Sequence, residues 1–230
     1  MKKGLNANQL KLLALIAMTV DHIGVLFLPQ CAILRIIGRL SLPIYAFLIA
    51  EGCRHTRSMK GYLTKVAALA GVCQIIYLVA SQSLYQCILV TFSMSIGLIW
   101  LIQNSVKKNT WGARILACTG VAGAYFVTEI LPPILSGTGF GVDYGFFGVL
   151  LPVAFYLGKK PWGSLAAGGL ILVGLGCVYG GIQWLALLTL PILLTYNGQR
   201  GKMNLKYIFY LYYPAHLGVL QLIFWLLKPE

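Results

Sequence analysis

Acidic side chains are nearly missing from this chain: five Asp and Glu stand against eighteen Lys and Arg in 230 residues. Histidine is scarcer still, at three. Charged residues of either sign make up 10% of the chain and hydrophobic ones 59%. No polar stretch between apolar runs exceeds about a dozen residues, far short of the roughly 50 that a soluble domain needs, so a separate soluble domain is excluded. The six cysteines (Cys31, Cys53, Cys73, Cys87, Cys118, Cys177) show no CxxC or Cys/His ligand spacing. That pattern argues against zinc or another metal site and against a disulfide framework, and leaves the thiols as core filler.

What is present is a succession of apolar runs long enough to cross a hydrocarbon core of roughly 30 Å. They predict one all-α domain over 1–230, a polytopic transmembrane helical bundle. Helices are expected at about 10–28, 32–51, 62–80, 85–103, 113–132, 143–158, 163–179, 182–197 and 206–227. The lead of Lys2 and Lys3 is like that of a signal peptide, but the first span carries Asp21 and His22 and is expected to stay as a mature helix. In the stretch 143–197 the runs are short and glycine-rich, which leaves open a re-entrant helix or glycines that serve close packing.

The net charge of +13 would suggest nucleic acid in a soluble protein. In a membrane protein it follows from the basic bias of cytoplasmic loops. With the N-terminus inside, one face collects Lys2, Lys3, Lys11, Arg54, Arg57, Lys60, Lys65, Lys107, Lys108, Arg114, Lys159, Lys160, Arg200, Lys202 and Lys206, and the other only Lys228. Tryptophans prefer the headgroup level, and all five fall near helix ends: Trp100, Trp111 and Trp162 inside, Trp184 and Trp225 outside. The expected setting is a membrane whose basic face meets the cytoplasm, with no nucleic-acid partner.

Ionisable groups at bilayer depth are costly and normally face a partner or a wet cavity. Asp21 and His22 lie side by side in LLALIAMTVDHIGVLFL, roughly 10 Å below the outer surface at about 1.5 Å per residue. Arg39, in the next antiparallel helix, reaches the same level and would hold Asp21 in its charged form, leaving His22 as the group that exchanges a proton. Arg35 is one turn further out and is expected to snorkel to the headgroups. Glu129 and Asp143 also fall near outer helix ends, and His216 sits near mid-depth beside Pro214, which frees the carbonyl of Tyr210. At the opposite end of the second helix, AEGCRHTRSMKGY groups Glu51, Arg54, His55, Arg57 and Lys60. This is either an ordinary basic loop or an arginine clamp for a pyrophosphate.

Six blocks, MTVDHIG, IGRLSLPIYAFLIAEGCRHTRS, GYLTKVAALAGVCQIIY, VTFSMSIGL, DYGFFGVLLP and YYPAHLGVL, resemble in order the motifs of the TraX family of bacterial integral membrane proteins. TraX is associated with acetylation of the N-terminus of conjugative pilin, and the family looks related to the wider class of transmembrane acyltransferases. The resemblance implies acetyl-CoA as co-substrate and a catalytic histidine in the first helix, preceded at an R/K-x10-H spacing by a basic residue; Lys11 and His22 have that spacing. Arg54-His-Thr-Arg57 is similar to the Arg-x-x-Arg motif attributed to CoA binding in that class. The chain departs from the family pattern at Gln74, where many members are acidic, and in VTFSMSIGL, which lacks the usual Asn.

Acyl transfer needs a base for the attacking amine or hydroxyl and a donor for the oxyanion. The expected base is His22, with Asp21 orienting its imidazole and Arg39 serving the oxyanion or clamping the carboxylate. Arg54, His55, Arg57, Lys60 and Lys11 would bind acyl-CoA. Asp143, Tyr144, Glu129, His216 and Glu51 would line the acceptor side, the acceptor being a peptide N-terminus, a sugar or a lipid-linked glycan. No Ser or Cys lies within a turn of His22, so direct transfer is favoured over an acyl-enzyme, with an acyl-histidine left open. The alternative class is a proton-coupled transporter or flippase relaying protons through Asp21, His22 and His216. A third is a scaffold whose buried charges serve assembly, and a homo-oligomer is compatible with any of them.

Overall fold

The computed structural model describes the backbone of residues 4–202 and 206–227, with the side chains in those bounds other than 80, 81 and 206–210. Nine helical segments occur among the described residues, six of them long and apolar enough to cross a membrane. This is a multi-pass helical membrane protein. Lys2, Lys3, Lys228 and the side chain of Lys206 lie outside the described residues.

Helix α1 (Ala7–Leu26) opens on a reciprocal cap in which Asn6 accepts from Gln9 N and the Gln9 side chain accepts from Asn6 N. The second predicted helix is broken in two, α2 (Ala32–Gly38) and α3 (Ser41–His55), and runs four residues past its expected end. Pro43 has no N–H for the carbonyl of Arg39, so the ladder lapses there and Leu40 N reaches back only to Ile37 O. Helix α4 (Met59–Ser81) is capped by Ser58. Next, β1 (Tyr85–Gln86) takes the residues expected to open the following helix, which moves α5 to Ile88–Lys108.

Helix α6 (Trp111–Tyr125) continues through a π turn at Phe126–Ile130 into α7 (Leu131–Ile134). Pro132 and Pro133 withhold N–H groups from the carbonyls of Thr128 and Glu129, and the turn before them widens. Strand β2 (Gly141–Val142) pairs in parallel with β1. Then follow α8 (Gly145–Leu157), α9 (Pro161–Tyr179), a 3-10 run at Gly181–Leu188, α10 (Thr189–Leu194) and α11 (Lys206–Leu227). The glycines of α9 allow close approach: a Cβ on Gly176 would fall 2.6 Å from the Trp184 ring.

Two compact units emerge, one from Met1–Leu48 with Lys160–Glu230, the other from Ile49–Lys159. In the first, Leu10, Ala14, Ile44, Leu172 and Leu175 are fully buried; in the second, Ile96, Ile99, Val149, Leu151 and Phe155. Within the second unit, hydroxyls of α5 also bond across to α8 and its lead-in, since Ser95 donates to Val149 O and Thr91 to Asp143 O just ahead of the helix. Ile16, Ile75, Val79, Leu116, Leu170 and Leu226 are more than half exposed. Such surface would be a liability in water, whereas a bilayer covers it.

Candidate functional site

In the first unit, Asp21 of α1 meets two guanidinium groups from the α2 stretch. Arg35 Nη1 donates to Oδ2 at 2.8 Å and Arg39 Nη2 to Oδ1 at 3.0 Å. Arg35 therefore does not snorkel: depth alone made the headgroups its expected partner, but the carboxylate one helix away is closer to hand. Arg39 also donates from Nη1 to Gln183 Oε1 at 3.0 Å and from Nε to Arg35 O at 3.3 Å. Gly38 makes the approach possible, because a Cβ there would lie 2.0 Å from Asp21 Oδ1. The carboxylate clamp is thus the arrangement Arg39 adopts.

His22 follows Asp21 by one residue, about 100° around the helix, so the two side chains do not face each other. Contrary to expectation, it is Met18 O, 2.7 Å from His22 Nδ1, that orients the ring. A carbonyl only accepts, so Nδ1 carries the proton and Nε2 keeps a lone pair. The His22 ring meets that of His216 on α11 edge-on, with centroids 5.2 Å apart. His216 repeats the pattern, Nδ1 lying 3.0 Å from Tyr212 O, and its ring stacks on Tyr212. Tyr212 Oη is 2.8 Å from Thr19 Oγ1, which donates in turn to Leu15 O. With Thr19's proton given to Leu15, Tyr212 is the donor of that pair.

Among the described residues, three buried polar atoms of this unit lack a partner, His216 Nε2, Gln183 Nε2 and Thr189 Oγ1, in residues 7%, 4% and 0% exposed. An orphaned buried polar group costs roughly 1–3 kcal/mol, so each calls for a ligand or a role. Sequence reasoning missed Gln183 and the pairing of Arg35; the available signal for Gln183 was a lone amide within the apolar run GGIQWLALL. Lys11 precedes His22 by close to three turns of α1, placing both on one face about 16 Å apart. Arg200 lies within electrostatic range of Lys11.

The other expected residues belong to the second unit, where each has a structural partner or lies open. Arg54 bonds Glu51 and turns Nη2 to the carbonyls of Phe155, Tyr156 and Gly158. It caps the C-terminus of α8, a favourable place for a cation, and so does not join Arg57 in a clamp. Helix α3 stops at His55, which leaves Arg57 exposed beyond the helix end. His55 is exposed, 3.5 Å from Glu51 Oε2, and Lys60 lies over the Trp100 ring at 5.6 Å. Glu129 accepts from Phe146 N at the start of α8, and Asp143 accepts from the Tyr85 hydroxyl. Tyr144 occupies the left-handed region at φ 59, a strained place for a bulky residue. Among the described residues, no group of three or more His, Cys, Asp or Glu could hold a metal ion.

Comparison with known proteins adds three findings. The family model described as "TraX protein" matches residues 6–224. The chain is 28% identical to "Probable fimbrial assembly protein FimC, serogroup H1" of Dichelobacter nodosus, over 94% of each chain. A 38-residue stretch, 16% of this chain and 15% of the other, is 55% identical to "Uncharacterized protein RP591" of Rickettsia prowazekii (strain Madrid E). No solved structure matches.

Proposed function

The chain belongs to the TraX protein family, and on that premise we propose that it is an acetyltransferase embedded in the bacterial cytoplasmic membrane, with its N-terminus inside, and that it takes its acetyl group from acetyl-CoA. The observation that carries the reading is the 2.7 Å approach of His22 Nδ1 to Met18 O. Met18 O holds the proton on Nδ1 and leaves Nε2 basic at membrane depth.

In the reaction, the acceptor amine or hydroxyl attacks the thioester carbonyl while Nε2 of His22 takes its proton. The new bond to nitrogen or oxygen forms and the carbonyl becomes an oxyanion. Collapse breaks the C–S bond, and the imidazolium returns its proton to the leaving thiolate. Arg39 is committed to Asp21, Gln183 and the Arg35 carbonyl, so the oxyanion falls instead to the spare N–H of Gln183 Nε2. The two arginines and Asp21 form a fixed brace that holds Gln183 by its carbonyl. His216, with an unpartnered Nε2 against the His22 ring, is positioned to accept a hydrogen bond from the acceptor's N–H or O–H.

The match to a fimbrial assembly protein favours the N-terminal amine of a pilus subunit among the three acceptor classes. The purified chain, incubated with trideuterated acetyl-CoA and envelope from cells lacking it, is expected to place a deuterated acetyl group on an envelope peptide. If label enters no peptide, sugar or lipid while free CoA stays at the no-protein level, the reading is wrong.

A further inference from the structure

Arg54, Gln103, Lys107, Tyr156 and Lys159, with three aliphatic side chains, line a cavity of about 460 Å³ at the ends of α5 and α8. That volume falls within the roughly 300–1,000 Å³ of small-molecule sites. The charge bias of the sequence assigns this end to the cytoplasm. Three cations line it without a carboxylate, and only one of them is committed, Arg54 serving Glu51 and the terminal carbonyls of α8. Because Arg54 already satisfies those carbonyls, capping does not account for Lys159. Neither Lys107 nor Lys159 has a hydrogen-bond or ion-pair partner among the described residues. Tyr156 Oη accepts from Gln103 Nε2 at 2.7 Å, which leaves its own O–H with nothing to donate to.

Two ammonium groups of exposed lysines and a phenol thus present donors without a protein acceptor to one half-open cleft. A basic headgroup belt explains lysines near helix ends, but not their convergence with a held tyrosine on a cavity of this size. A phosphate group supplies the missing acceptors. We propose that this cleft is a phosphate-binding site, for the nucleotide phosphates of acyl-CoA or for an anionic lipid headgroup. The nucleotide identity rests on the acetyltransferase reading above, while the phosphate chemistry stands without it.

The test uses the full chain in nanodiscs of phosphatidylcholine, titrated with adenosine 3′,5′-bisphosphate. The double variant K107Q/K159Q, and Y156F more weakly, should raise the Kd, the double variant by at least about tenfold. K108Q, a neighbouring charge outside the cleft, should change nothing. The headgroup arm is native mass spectrometry of protein taken from phosphatidylglycerol-containing membrane, where retained lipid should fall in K107Q/K159Q if the ligand is a headgroup. Where the double variant fails to fold, the two single variants carry the test. The proposal is overturned if neither nucleotide affinity nor lipid retention responds to these lysines. In the wild-type chain, nucleotide binding without acetyl transfer indicts the proposed function, and transfer without lysine-dependent binding indicts the cleft; H22A, which should lose transfer, should bind the nucleotide as wild type does.

Discussion

At the scale of single residues, the polar cluster around Asp21 consists of groups that are tolerable in a membrane only because each answers another. Asp21 balances two guanidinium groups, so D21N should leave both without a counter-charge and cost about 3–5 kcal/mol, read as a fall in the melting temperature in detergent. R39A should cost more than R35A, because the Arg39 side chain is 10% exposed against 29% for Arg35 and also holds Gln183; equal losses would contradict the brace. Gln183 separates holding from chemistry. Q183E keeps an acceptor for Arg39 but removes the amide N–H, so it should keep the fold and lower kcat about 10²-fold or more with little change in KM. A change confined to KM would remove the oxyanion role. The approach of Asp21 and Arg39 was legible from depth arithmetic, because helix rise is constant. Arg35 was not, because depth cannot tell a headgroup from a carboxylate on the next helix.

At the scale of elements, α1 and α2 lie close because Gly38 gives Asp21 room. G38A would set a Cβ 2.4 Å from the Asp21 Cβ, and overpacking of this kind costs about 1–3 kcal/mol. G71A is the control: its Cβ meets nothing within 4 Å, so stability should stay within about 0.5 kcal/mol of wild type. If both variants melt alike, the close contact is not what seats the carboxylate. Gln74 shows why a family departure can be structural: its amide donates to Tyr85 O and accepts from Cys87 N, and a carboxylate can only accept. Helix positions were readable from apolar runs, but the break before α3, the π turn and the short β1–β2 pair were not. These depend on particular prolines and on a pairing between segments more than fifty residues apart. For the same reason the sequence leaves Arg54 open between a basic loop and a pyrophosphate clamp, since the carbonyls it caps lie a hundred residues on.

At the scale of the whole molecule, the number of apolar segments was legible because a bilayer demands long apolar stretches with every backbone group paired. Their sidedness rests on the basic bias alone and is open to direct test. Alkaline phosphatase fused after Gly137 should be active and after Asn109 inactive; the reverse pattern would invert the topology. The proposed chemistry hangs on one imidazole, that of His22, whose Nδ1 lies 2.7 Å from a helix carbonyl. The most direct measurement is single-turnover acetyl transfer from acetyl-CoA to the envelope acceptor by purified wild-type and H22A protein, with equal melting temperatures confirmed beforehand. A general base contributes about 10²–10⁴-fold, so H22A should be slowed by at least about 10². Transfer by H22A at the wild-type rate would contradict the assignment of His22 as the base.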